Sequence, residues 1–179
     1  MLEKKPLISS SLIAGREFPD GSLGNAYKEY MSSHGFDTDE RSKVRFISDP
    51  DTAYVILRYR QVHDFWHVLC ALPPSVLGEI ALKWFEWRET GFPSCGLSAL
   101  IGPLKLSAGE KYLLVTKYVP WAMRSASRSI DLMSYMYEDN LDVPLQVVRQ
   151  QLNVEPAPVV KADIGRKDTE ARSSTEHSR

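Results

Sequence analysis

Two of the four histidines of the chain, His63 and His67, lie four residues apart, and Asp64 lies between them. No Gly or Pro interrupts residues 51–72, so this run is predicted to be helical. Both imidazoles then share one helix face, with Cβ atoms about 5–6 Å apart, and Asp64 shares that face because it precedes His67 by three residues. Two imidazole nitrogens and a carboxylate oxygen can bind one divalent ion at about 2.0–2.2 Å. The spacing therefore indicates a metal site.

A fourth ligand is predicted on the following helix, at Glu79. His67 lies six residues before the Pro73-Pro74 pair, and Glu79 lies five residues after it. At a rise of 1.5 Å per residue, the two side chains stand about 9 Å and about 7–8 Å from the turn. They are therefore level in an antiparallel hairpin, whose helix axes pack about 8–10 Å apart and leave room for a metal ion.

The same residues also have an ordinary structural interpretation. Arg60 precedes Asp64 by four residues, and Glu79 precedes Lys83 by four, so both carboxylates could form ion pairs on helix surfaces. The two histidines could be hydrogen-bonded core residues. If a metal is bound, two His and two carboxylates suit zinc, iron(II), manganese or cobalt. A closed tetrahedral site would be structural, whereas an open position would let a substrate oxygen bind.

The elements that must position these residues are predicted from helix start and stop signals. Ser22 begins a helix that runs to about Ser33, and Asp49-Pro50 begins the long helix that carries both histidines to about Leu72. Apolar residues cover much of the circumference of this long helix, which predicts a place in the middle of a bundle. Ser75 begins the next helix, which stops at Gly91.

The second half of the chain is less regular. Further helices are predicted at about 107–126, with an interruption at Pro120, and at 129–138 and 143–153. The uncharged segment 91–104 is broken by Gly and Pro and is predicted to be flexible, either packed on the bundle or presented to a lipid surface. The resulting fold class is all-α, a single-domain helical bundle with a central helical hairpin carrying the metal site.

The domain boundaries follow from composition. Residues 1–21 are predicted to be a poorly ordered lead-in, 22–154 the helical domain, and 155–179 a disordered polar tail. The 179 residues are 43% hydrophobic and 25% charged, the proportions of a globular domain. A net charge of −1 argues against nucleic-acid binding. The cysteines, Cys70 and Cys95, stand in apolar context and are predicted to be reduced and buried. No transmembrane run and no clear targeting segment is predicted.

A family resemblance rests on the site itself. The run HDFWH, followed by eleven residues and then Glu79, matches the HD-x-x-H-x(11)-E motif of the coenzyme Q (ubiquinone) biosynthesis protein 4 family. The flanking runs AYVILRYRQVHD, LGEIALKWFE, GPLKL and VPWA resemble the family too, and the similarity extends from about Ser22 to about Val154. The resemblance implies that the metal ligands are His63, Asp64, His67 and Glu79.

The resemblance further implies a function. Members of this family are helical, lie on the matrix side of the mitochondrial inner membrane as peripheral proteins, and associate with other ubiquinone-biosynthesis proteins. They are implicated in removing the ring C1 carboxylate of polyprenylated 4-hydroxybenzoate intermediates, with oxidation at that carbon. Zinc is the metal usually assigned. The chain is therefore expected to be a metal-dependent carbon-carbon lyase, and a homodimer stays an open alternative for its assembly.

Two other functions stay open on the sequence alone. The first is a non-catalytic scaffold that binds lipid and organises the biosynthetic complex, with a metal that is purely structural. The second is a phosphohydrolase of the HD type, which would use His34, the His63-Asp64 pair and Asp131. This second scheme leaves His67 and Glu79 without a role, which makes it the weaker of the two.

Overall fold

The computed structural model describes residues 5–8, 12–36 and 44–160. Within these ranges the chain is helical and contains no strand, which confirms the predicted all-α class. The helices are α1 (Leu23–His34), α2 (Pro50–Cys70), α3 (Val76–Thr90), α4 (Pro93–Ile101), α5 (Ala108–Leu113), α6 (Val119–Arg128) and α7 (Leu145–Leu152).

The first three helices begin where their capping residues predict. The side chains of Ser22, Asp49 and Ser75 each accept a hydrogen bond from the backbone N–H three residues on, which satisfies one of the free donors at a helix start. The long helix α2 ends at Cys70, slightly before the predicted Leu72, because Ala71 adopts the left-handed conformation at φ 54°. The turn to α3 then passes through the two prolines.

The core lies around the α2–α3 hairpin, as predicted. Trp66 of α2 and Phe85 of α3 are fully buried, and Phe85 stacks on Trp121 of α6 with ring centroids 5.9 Å apart. On the other side of α2, Phe65 stacks on Tyr27 of α1 at 3.9 Å. Buried aromatic pairs of this kind stabilise a core beyond the area that they remove from water. The hairpin is thus clamped between α1 and α6.

The segment 91–104 is more regular than predicted. It contains α4, which begins at Pro93, and a 3-10 turn at Gly102–Lys105. The proline occupies the first turn, where a missing N–H costs nothing. Gly96 lies so close to the indole of Trp87 that a Cβ at this position would stand 2.8 Å from the ring. The prediction of a flexible segment is therefore wrong: here glycine permits close helix packing and does not break the helix.

The helix predicted at 129–138 does not form. The carboxylate of Asp131 accepts a hydrogen bond from the backbone N–H three residues on, at 3.1 Å, and Glu89 of α3 accepts one from the backbone N–H of Leu132 at 3.0 Å. Such side-chain bonds compete with the helical pattern. Only Tyr137–Asp139 makes a short 3-10 turn.

The interruption predicted within 107–126 is present. A π-helical turn at Leu114–Tyr118 separates α5 from α6, and Pro120 lies in the first turn of α6. A proline removes one N–H and pushes against the carbonyl four residues before it, which is that of Thr116. The wider π turn accommodates both effects. The helix predicted at 143–153 is confirmed by α7.

Residues near both ends of the described chain contact the bundle. Ile8 and Phe18 are buried against the core, and the backbone N–H of Ala157 donates to the carbonyl of Cys70 at 2.8 Å. The division into lead-in, domain and tail stays a prediction, and residues 161–179 of the predicted tail lie outside the described residues. The two cysteines, Cys70 and Cys95, are free and buried, as predicted.

The end of α2 is closed by a side chain from far along the sequence. Arg149 of α7 donates from Nε to the carbonyl of Leu69 at 2.8 Å and from a terminal guanidinium nitrogen to the carbonyl of Val68 at 2.9 Å. The last carbonyls of a helix lack partners within the helix. Arg149 therefore supplies both hydrogen bonds and a positive charge where the helix dipole favours one.

A buried ion pair between Arg58 of α2 and Glu138 gives a first prediction. Arg58 is fully buried, bonds both oxygens of Glu138 and also donates to the carbonyl of Tyr135 at 2.7 Å. Removing one member of a buried ion pair leaves the other charge buried without a partner. Arg58→Ala is expected to lower the free energy of unfolding by about 3–5 kcal/mol, measured by urea denaturation.

The matched control is the exposed ion pair of Arg16 with Asp142, whose side chains are 43% and 56% exposed. Exposed pairs contribute about 0–1 kcal/mol, so Arg16→Ala should change the unfolding free energy by no more than that. Equal losses in the two variants would contradict the role assigned to Arg58.

Candidate metal centre

His63, His67 and Glu79 meet between α2 and α3. Nε2 of His67 lies 3.0 Å from Oε1 of Glu79, and Nε2 of His63 lies 3.6 Å from Oε2 of the same carboxylate. The three ligand atoms all lie within 4.8 Å of one another. Ligand atoms that share one ion at 2.0–2.2 Å stand about 3–4 Å apart. These three residues could therefore hold a metal ion.

The hydrogen-bonding state of His67 can be deduced from its neighbours. Its Nδ1 lies 3.2 Å from the carbonyl oxygen of Leu72. A carbonyl only accepts, so the proton is on Nδ1 and Nε2 carries the lone pair when the ring is neutral. Nε2 is buried and makes no hydrogen bond to any described residue, although it faces the carboxylate of Glu79.

His63 is arranged in the same way. Its Nδ1 lies 2.6 Å from Oε1 of Glu86, a carboxylate that accepts the Nδ1 proton. Nε2 of His63 is thus the nitrogen that faces Glu79. Lys83, between the two glutamates on α3, bonds Glu86 and the hydroxyl of Tyr59. The alternative ion pair of Glu79 with Lys83 is not among the contacts of the described residues.

Two lone pairs that point at a carboxylate need a positive charge between them. Burial would lower the pKa of His63, but hydrogen bonds to Glu79 and Glu86 outweigh it and raise the pKa to about 9. Burial would raise the pKa of Glu79, but the facing imidazoles hold this pKa well below its usual range. The raised pKa of His63 favours the protonated ring between these two carboxylates. A divalent ion fits the same position and the same donor set.

Asp64 is not part of the group of three that the structure brings together, so its role as a ligand stays a prediction. Its carboxylate is close enough to Tyr30 that, after burial, it is the main cause of the raised pKa of that phenol. Tyr30 stacks on His67 with ring centroids 5.4 Å apart, and its hydroxyl is buried with no hydrogen-bond partner among the described residues. Tyr30 lies on α1, a different helix, and its position beside the candidate centre was not predicted from the sequence.

The two residues that only the phosphohydrolase scheme requires, His34 and Asp131, make other contacts. His34 makes its hydrogen bond to the carbonyl of Tyr30 at 2.7 Å, and Asp131 bonds the backbone and hydroxyl of Ser134. Among the described residues, neither His34 nor Asp131 belongs to the group that could hold a metal ion. The geometry therefore favours the set with His67 and Glu79.

An apolar groove opens beside the candidate centre. Its volume is about 520 Å³, within the usual range for small-molecule sites. Apolar side chains from α3 and α4 form much of its lining, namely Val76, Ile80, Leu97 and Ile101. The charged residues that line the groove include Glu79 and Lys83. Glu79 is therefore shared between the candidate metal centre and the groove.

The outer face of α4 and the turn that follows it leave large apolar side chains in solvent. Leu97, Leu100 and Leu104 are 60%, 61% and 78% exposed. Exposed apolar side chains that lie together often mark a binding surface. No helix among the described residues is both long enough and apolar enough to span a membrane.

The fold and the centre define a class of helical protein with a candidate divalent-metal site in a central hairpin, next to an apolar groove. The chain belongs to the family described as Coenzyme Q (ubiquinone) biosynthesis protein Coq4, whose model matches residues 1–158. This confirms the resemblance deduced from the motif.

Relatives with assigned names support this membership. The chain is 41% identical over 162 residues to the mitochondrial ubiquinone biosynthesis protein COQ4 homolog of Bos taurus, and 37% identical over 162 residues to that of Homo sapiens; each match covers 89% of this chain and 61% of the relative. The chain thus spans about three fifths of the length of these relatives. A crystal structure of a protein from Nostoc punctiforme matches with a TM-score of 0.68 at 23% identity and covers 86% of this chain and 73% of that one, which supports the fold alone.

Proposed function

We propose that this chain is a metal-dependent decarboxylase of ubiquinone biosynthesis. The reaction would release the ring C1 carboxylate of a polyprenylated 4-hydroxybenzoate intermediate as carbon dioxide, with a proton taking its place on the ring. Oxidation at that carbon would be a further step that consumes a separate two-electron oxidant, such as dioxygen. The observation that carries the proposal is the convergence of two histidine Nε2 atoms on Glu79 at an apolar groove. Membership of a family named for ubiquinone biosynthesis supports the choice of pathway.

Each ligand has a defined task in this proposal. His63 and His67 present Nε2, Glu79 supplies a carboxylate oxygen, and Asp64 is the proposed fourth ligand. Zinc is the proposed metal, with iron(II), manganese and cobalt as alternatives for the same donor set. When bound, the ion would act as a Lewis acid toward a phenol or carboxylate oxygen and stabilise the charge that develops as carbon dioxide leaves.

The groove provides for the rest of the substrate. Its apolar walls would hold part of the polyprenyl tail and exclude water from the ring, while the ammonium group of Lys105 would favour an anionic ring substituent. The exposed leucines of α4 would face the lipid in which such a tail is dissolved. The protein would therefore lie on the matrix side of the mitochondrial inner membrane, as a peripheral partner of other ubiquinone-biosynthesis proteins. The mitochondrial names of the relatives support this location.

A scaffold function remains the second candidate. One observation favours it: the candidate ligands come from both arms of the hairpin, so a metal ion would join α2 to α3 and stabilise the fold. In that case the metal would be structural, and the apolar face would collect lipid and pathway proteins without turnover.

Carbon dioxide release separates the two candidates. Zinc-loaded protein is expected to release labelled carbon dioxide from a carboxyl-labelled substrate with a short prenyl tail, and chelator-treated protein is expected to release none. Restoring zinc to the treated protein is the control for damage during chelation. Zinc-loaded protein that gains thermal stability over the metal-free form, yet releases no carbon dioxide, would contradict the decarboxylase and favour the scaffold.

A further inference from the structure

Glu86 of α3 lies next to His63 of the candidate metal centre, and polar side chains surround its carboxylate. Its side chain is fully buried, yet donors surround its carboxylate. One oxygen accepts from Nδ1 of His63 at 2.6 Å. The other accepts from the hydroxyl of Tyr59 and from the ammonium of Lys83, each at 2.6 Å, and the thiol of Cys95 lies 3.7 Å away. Every strong donor around Glu86 is thus a charged or polar side chain of α2 or α3.

Such an arrangement needs an explanation, because burying a carboxylate is costly unless it is paired. Lys83 supplies the opposite charge, and three short hydrogen bonds satisfy most of the acceptor sites. The ammonium of Lys83 also donates to the hydroxyl of Tyr59 at 2.9 Å. This hydrogen bond fixes the two donors relative to each other. The position of the carboxylate is therefore fixed from the side away from the imidazole.

The fixed carboxylate determines the state of one ligand. Because Glu86 accepts a 2.6 Å hydrogen bond from Nδ1–H of His63, the ring cannot turn about its Cβ–Cγ bond without losing that hydrogen bond. Metal-binding histidines commonly donate their other N–H to a carboxylate, which orients the ring and increases the electron density on the binding nitrogen. Glu86 follows Glu79 by seven residues, two helical turns, so one face of α3 supplies both a ligand and its support.

We infer that Glu86 is a positioning residue of the metal centre: held by Tyr59 and Lys83, it orients His63 so that Nε2 faces Glu79. The inference rests on the proposed function only in taking His63 as a metal ligand. Glu86 itself does not touch the metal position.

The first test measures metal affinity with Co²⁺ and Zn²⁺ in competition with a chromophoric chelator. Glu86→Gln is expected to weaken binding about 10–100-fold and to change the visible absorption of the Co²⁺ form, because a neutral amide oxygen accepts from Nδ1 of His63 more weakly than a carboxylate does. Glu89→Gln is the matched control. Glu89 lies one turn further along α3, and its carboxylate bonds Ser129 and the backbone of Leu132, away from the centre. Unchanged affinity in Glu86→Gln, or an equal loss in Glu89→Gln, would overturn the inference.

The second test uses metal-free protein, so that it does not depend on the proposed function. A 2.6 Å bond from an imidazole N–H to a buried carboxylate should give a downfield proton resonance that is protected from exchange. The resonance should be absent in His63→Ala and in Glu86→Ala, and present in Glu89→Ala. Its persistence in Glu86→Ala would refute the role of Glu86 even if wild-type protein binds metal. Wild-type protein that shows this resonance but binds no metal would instead refute the metal centre itself and, with it, the positioning role.

Tyr59→Phe is a milder test that remains informative if the variants that change a charge fail to fold. The substitution keeps the ring and removes one hydrogen bond to Glu86, so the metal affinity should fall in the same direction by less than in Glu86→Gln. An affinity equal to that of the wild type, with the downfield resonance unchanged, would show that Tyr59 does not hold the carboxylate and would contradict the arrangement inferred here.

Discussion

Glu79→Ala is expected to abolish metal binding and the proposed decarboxylation while leaving the helical circular dichroism nearly intact. Glu79 is the residue that both histidines face, at 3.0 Å and 3.6 Å, so its loss removes the only carboxylate of the group and leaves the other ligands without their partner. A metal ion contributes several kcal/mol of charge stabilisation, which corresponds to a loss of roughly 10³-fold in rate. The side chain is 39% exposed, so its removal leaves no large cavity.

Elemental mass spectrometry of purified protein checks the first part of this prediction, and release of labelled carbon dioxide checks the second. Wild-type protein should contain about one divalent ion per chain, and both Glu79→Ala and His67→Ala should contain almost none. Glu29→Ala, which removes an exposed carboxylate on α1, should retain the metal. A Glu79→Ala protein with normal metal content would rule out the centre as described.

Gly78→Ala is expected to have the largest effect on stability of any single added methyl group in this hairpin. Gly78 lies in the first turn of α3, next to Glu79. A Cβ at this position would stand 2.1 Å from the backbone carbonyl oxygen of Pro73, and backbone cannot move aside as a flexible side chain can. Overpacking costs about 1–3 kcal/mol, and displacing the cap of Ser75, which bonds the N–H of Gly78, adds about 1 kcal/mol. We therefore expect the free energy of unfolding to fall by about 2–4 kcal/mol.

The displaced turn should also move Glu79 relative to His67, so the metal affinity of Gly78→Ala should fall together with its stability. Gly109→Ala is the matched control, because a Cβ at Gly109 meets no atom within 4 Å and the residue lies in α5. There the added methyl group should raise the helix stability by about 0.5–1 kcal/mol. Urea unfolding of both variants measures the effect, and a Gly78→Ala protein as stable as the wild type would show that the turn is not closely packed.

The parts of the fold that sequence reasoning predicts well are those set by local rules. Ser22, Asp49 and Ser75 begin helices because a side-chain oxygen next to free N–H groups is stabilising wherever it occurs. The errors arise where distant residues decide. Gly96 looks like a helix breaker until Trp87 is placed against it, and Leu132 is kept out of a helix by a carboxylate from α3.

The candidate site shows the same division. His63 and His67 are related by one helical turn, and Glu79 by the geometry of a hairpin, so all three are predictable from spacing. The hydrogen bond of Glu86 to His63 is not, because it depends on the rotation of α3 about its own axis. Its one sequence signal is the seven-residue interval from Glu79, which places both glutamates on one face. Tyr30 comes from a separate helix and has no such signal.

The closure of α2 by Arg149 has a consequence for how the protein is made. Arg149 lies 80 residues after Leu69, whereas His67 and Glu79 are separated by twelve. As the chain leaves the ribosome, the hairpin is complete long before its far end can be closed, and nearby contacts form first because they close the shortest loops. A metal ion bound at the proposed centre would then stabilise the hairpin before the remaining helices pack against it. Metal supply while the chain folds would therefore affect the yield of folded protein.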